Sequence, residues 1–105
     1  MKQNGIPVLL LYNVDNPLSL SGEFDAIDKI IRVYVDMTKT IDETVRTIIH
    51  ESMHGRLGHA GTRKEEVRCF LEEAKHDGIK LTSQVIKGII KSVNENHIYK
   101  YLPWR

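Results

Sequence analysis

With 105 residues and 41% apolar content, the chain can enclose one modest hydrophobic core and not two. Its charges nearly cancel at +1 and its Lys and Arg residues are scattered, which excludes the electrostatic footprint of a nucleic-acid or acidic-membrane binder. The longest apolar stretch, IPVLLLY, is far below the ~20 residues that span a bilayer, and the single cysteine, Cys69, cannot form an internal disulfide, so the expectation is a cytoplasmic chain with no membrane segment.

The first element is Pro7–Tyr12, an apolar β-type run closed by Asn13, Asp15, Asn16 and Pro17, which reads as a strand and then a loop reaching Gly22. EFDAI and IIRVYVD follow on either side of Asp28–Lys29. Ile31, Val33 and Val35 alternate there with Arg32, Tyr34 and Asp36, the pattern of a hairpin with one buried face, although Phe24–Ile31 can also be read as helical. Thr40 followed by Glu43 is a capping-box spacing, and it opens a helix from about Ile41 to about Arg56. The apolar face of that helix is Ile41, Val45, Ile48 and Ile49, continued one turn later by His50 and Met53. Thr62 and Glu65 repeat the capping spacing before an inward stripe of Val67, Phe70, Leu71 and Ala74, and Asp77–Gly78 ends this second helix. A third helix runs over Thr82–Asn94, and the aromatic tail ENHIYKYLPWR closes the chain as either a docking segment or disorder. Together these elements give an α+β fold: a small antiparallel or mixed sheet of about three strands packed on three helices. Residues 1–95 form the domain and 96–105 the tail.

The chemistry concentrates in TIIHESMHGRLGH. His50 and His54 are four apart, so on a helix their rings leave one face a turn apart and can reach one cation. Glu51 lies beside them, where a carboxylate can take a proton from water and deliver it to a leaving amine. Zinc is the expected ion. A catalytic zinc usually takes three protein ligands and keeps one open position. Two residues compete for the third place: His59, which Gly55 and Gly58 could let swing back, and Glu66, left free if Glu65 serves as the capping partner of Thr62. The loser of the two could fix the tautomer of a histidine. Cys69 beside Phe70 reads as a small core residue, and His76 as a cation suited to a helix C-terminus.

The HESMH helix after a β-hairpin, a following helix with EEVRCF and a length near one hundred residues resemble the minigluzincins, minimal soluble metallopeptidases of the gluzincin tribe of zincins. The resemblance spans nearly the whole chain, and its specific part is His50, Glu51 and His54. It implies a zincin-like catalytic domain and a zinc-dependent endopeptidase acting on peptide or unfolded protein, with Glu51 as general base and acid. It also implies a histidine as third ligand, which here favours His59. Larger gluzincins use a glutamate on the next helix, which corresponds to Glu66. The spacing of His59 departs from the metzincin pattern, which disfavours that assignment. The family's latency implies that Tyr99, Tyr101, Leu102, Pro103, Trp104 and Arg105 block the cleft as an extended inhibitory segment, within one chain or by self-association between chains. A peptide substrate would add along a strand edge, expected at Ile30–Asp36. The alternatives are a structural zinc site in a binding or regulatory module, and a metal-free interaction domain that associates through the tail.

Overall fold

The computed structural model describes all 105 residues. Its elements are β1 (Lys2–Gln3), β2 (Ile6–Leu11), β3 (Gly22–Asp25), β4 (Ile30–Tyr34), α1 (Val35–Thr38), α2 (Ile41–Leu57), α3 (Arg63–His76) and α4 (Ser83–Glu95). The fold is α+β, with a mixed sheet of four strands where about three were expected; β1 is the added one, a two-residue edge turned back on β2. No helix is long and apolar enough to cross a membrane.

The hairpin expected around Asp28–Lys29 is present. β3 pairs antiparallel with β4, Phe24 opposite Ile31, and the Asp25 side chain accepts from the amides of Ile27 and Asp28 to tie the turn. The helical alternative for Phe24–Ile31 is therefore not adopted. The strand stops at Tyr34, because Val35 and Asp36 enter the short helix α1. β2 lies parallel to β4 on its other side, with Val8 opposite Ile31 and Leu10 opposite Val33. β4 is thus paired on both edges, and the expectation that Ile30–Asp36 offers a free edge is corrected: in the order β1-β2-β4-β3 the open edge on that side belongs to β3.

The period-two pattern turns Val8, Phe24, Ile31 and Val33 onto one face, where they bury against Ile48 of α2; Ile31 and Val33 are wholly enclosed. Burial of α2 begins at Ile48 and not at Ile41, which stands 83% exposed in the first turn. From His50 to His54 every residue is buried, because the sheet covers one side of α2 and α3 the other. All three long helices start as their sequences dictate, with Thr40, Thr62 and Thr82 each accepting from the amide three residues on.

Two glycines let the sheet approach α2 closely. A Cβ on Gly22 would lie 2.5 Å from Thr47 Cγ2 and 3.0 Å from the Arg32 carbonyl oxygen, and one on Gly55 would lie 2.6 Å from Ile6 Cδ1. Thr47 is β-branched and the Arg32 carbonyl is backbone, so neither yields easily. Gly22→Ala is therefore expected to destabilise the fold by about 1–3 kcal/mol, the usual cost of overpacking, despite the smaller unfolded-state entropy of alanine. Urea denaturation of the two chains measures it, and equal midpoints would contradict the packing described.

The tail is ordered and folded back on its own chain. Asn96 Oδ1 accepts from the Ile98 amide, successive turns run to Leu102, and the carbonyls of Pro103 and Trp104 accept from the amides of Arg63 and Lys64. It forms no strand on the sheet, and in place of the expected extended course residues 97–101 form turns.

Candidate metal centre

Two helices build the site. α2 presents His50, Glu51 and His54, and α3 crosses it presenting Glu65, Glu66, Cys69 and Glu73. Glu66 Oε1 lies 3.1 Å from both His50 Nε2 and His54 Nε2, and its Oε2 lies 2.7 Å from His54 Nε2. One carboxylate thus bridges the two histidines. On their other nitrogens, His50 Nδ1 is 2.7 Å from Glu73 Oε2 and His54 Nδ1 is 2.6 Å from Glu65 Oε1. Each ring is held at both ends, and the edge of Phe70 packs on His50 with centroids 4.6 Å apart.

Charge and protonation follow from this packing. Burial works against a charged His50, but its hydrogen bonds to Glu66 and Glu73 outweigh burial and lift the ring to about 10; His54 is raised for the same reasons through Glu66 and Glu65. Burial also pushes Glu66 up, yet the two imidazoles hold its carboxyl down at about 2. Glu51 is raised by burial above the usual carboxylate range and pairs with neither histidine, unlike Glu65, Glu66 and Glu73. Burial and the surrounding carboxylates push the Cys69 thiol far up.

The donor chemistry fits a divalent cation. In the metal-free chain protons on the two Nε2 atoms meet Glu66; in the neutral rings, with each Nδ1–H donating to its carboxylate, both Nε2 atoms would present lone pairs toward Glu66, an arrangement of acceptors that a cation can hold together. Two imidazolium protons carry the same charge as one dication, so metal can replace them without changing the net charge of the cluster. Potential ligand atoms of His50, His54 and Cys69 also lie within 4.8 Å of one another, and Cys69 is the fully buried core residue expected, placed beside the pair.

The two rivals for a third ligand stand differently. Glu66 contacts both motif histidines, whereas His59 groups with His54 and Glu65 and not with His50. Gly58 does end α2 in the left-handed region and reverse the chain, but His59 is exposed, with its ring 5.6 Å from that of His54 and 5.8 Å from Phe24. Glu65 does not close a capping box: its Oε2 accepts from the Ala60 amide while Oε1 meets His54. Glu65 and Glu73 are the site residues that sequence reasoning missed. The signal for Glu73 was the seven-residue spacing from Glu66, two turns along the same face of α3.

A cleft of about 680 Å³ opens over these residues, lined by Leu18–Phe24 on the sheet side and by Ile98, Tyr99 and Leu102 from the tail. Tyr99 stacks edge-on against Phe70. The other tail residues point elsewhere: Tyr101 is 81% exposed and Trp104 lies over the Arg63 guanidinium. No family model, curated relative or solved structure matches the chain, so its reading rests on this geometry.

Proposed function

We propose that this chain is a zinc-dependent endopeptidase of minigluzincin type, acting on unstructured peptide in a reducing compartment such as the cytoplasm. The observation that carries the reading is the convergence of His50 and His54 Nε2 on the Glu66 carboxylate, with Glu51 unpaired in the same cleft. In this reading the ligands are His50, His54 and Glu66, and Glu73 and Glu65 orient the two rings. Zinc bound there supplies Lewis-acid polarisation of a peptide carbonyl and acidification of the attacking water. Glu51 accepts the proton of that water and returns it to the leaving amine, and its burial brings its basicity nearer to neutral pH. The open edge of β3 receives the peptide as an added strand, and Gly22 keeps that edge close to Glu51.

A structural zinc site is the second reading, favoured by Cys69, whose thiolate could complete a closed set of four ligands with His50, His54 and Glu66. Casein hydrolysis separates the two. The zinc-loaded chain is expected to cut, to fall silent with a chelator and to recover with zinc. Tyr99→Ala is expected to cut faster, because Tyr99 narrows the cleft over the ligands. Silence from both chains, each holding one zinc, would overturn the peptidase reading in favour of the structural one.

A further inference from the structure

The first turn of a helix has amides with no partner inside the helix, and in α3 that turn carries Glu65 and Glu66. Thr62 answers the amides of Glu65, through Oγ1, and of Glu66, through its carbonyl. The remaining two are answered from forty residues away: the Arg63 amide donates to the Pro103 carbonyl at 2.8 Å and the Lys64 amide to the Trp104 carbonyl at 2.9 Å. The Trp104 ring lies 5.8 Å from the Arg63 guanidinium carbon, and Arg63 Nη1 donates to Asn94 Oδ1 of α4 at 2.7 Å, which fixes the side chain over which the ring sits.

We propose that the Pro103–Trp104 segment is a positioning element for the metal centre, acting through the first turn of α3. When it docks, α3 is wound from its first residue, and Glu65 and Glu66 are held at His54 and between the two Nε2 atoms. When it is released, Arg63 and Lys64 lose their partners, the turn frays, and both carboxylates leave the histidines. This rests on the metal-centre reading, and it gives the end of the tail a role separate from Tyr99 and Leu102, which line the cleft. It also means that cutting the tail away disturbs the ligands as well as opening the cleft.

Linkage supplies the test in the full chain: if docking raises zinc affinity, zinc must strengthen docking by the same factor. Hydrogen exchange at the Arg63 and Lys64 amides is expected to slow on adding zinc by more than exchange within α4. Trp104→Gly, which removes the ring and loosens the segment, is expected to weaken zinc binding about tenfold in chelator competition, the scale of losing an outer support of a ligand. Arg63→Pro should restore much of that loss in the Trp104→Gly background. Proline at the first helical position needs no amide partner, and Thr62 already has the extended backbone that a following proline requires, with φ −119° and ψ 156°. Parent-like zinc affinity in Trp104→Gly, a loss that Arg63→Pro does not mend, or zinc-insensitive exchange at both amides would each overturn the proposal. A parent chain that binds no zinc would instead remove the metal-centre reading, and this proposal with it.

Discussion

Glu51→Gln is expected to lower peptide hydrolysis by about 10²–10⁴-fold while the chain keeps its zinc, the range contributed by a positioned acid–base group. Glutamine preserves the shape and burial of the side chain and removes only its capacity to accept and return a proton. Glu51 forms no pair with His50 or His54, whose nitrogens are already met by Glu66, Glu73 and Glu65, so its substitution leaves the ligand cradle intact. Removing a buried carboxyl whose ionised form is disfavoured by burial should not unfold the chain. The measurement is casein hydrolysis beside zinc stoichiometry in parent and variant. Full activity in the variant would eliminate the general-base role. Loss of zinc together with activity would show instead that Glu51 supports the ligands.

Local chemistry made part of this molecule legible in its sequence. Thr40, Thr62 and Thr82 each start a helix because a hydroxyl accepts from an amide three residues on, a short-range interaction visible in the chain itself. The placing of His50, Glu51 and His54 on one helix is equally local, since 3.6 residues per turn fixes their facing. The parallel pairing of β2 with β4 is not local, and that pairing takes the open edge away from Ile30–Tyr34 and gives it to β3. The partners of the two histidines likewise depend on how α3 crosses α2. A capping-box spacing at Thr62 assigned Glu65 to its own helix end, but the Ala60 amide and His54 compete for that carboxylate and win it. Composition makes the tail a docking segment or disorder, and the resemblance makes it one blocking segment. Its backbone carbonyls, which composition does not describe, divide it into a part that lines the cleft and a part that caps α3.

Zinc affinity should separate the two rival ligands more sharply than any other pair of substitutions. Glu66→Ala removes the one carboxylate that reaches both Nε2 atoms, and the expected loss exceeds the about 10–100-fold that follows from losing an outer partner such as Glu73. His59→Ala is expected to leave the affinity near that of the parent, since its ring packs between Phe24 and His54 on the exposed rim and shares no potential ligand group with His50. The metal-free chains should differ as well. Without Glu66 both imidazoles lose one of the two carboxylates that hold their protons, so their pKa values fall while Glu73 and Glu65 still hold the other end of each ring. Those remaining partners, and the ability of a histidine to discharge itself where a lysine or arginine could not, limit the destabilisation below the roughly 3–5 kcal/mol of a buried charge left unpaired. Chelator competition on the two variants, with histidine titration by nuclear magnetic resonance in the metal-free state, reads both effects. A large loss of affinity in His59→Ala with little change in Glu66→Ala would transfer the third ligand to His59, and would require the end of α2 to move so that His59 reaches the ion.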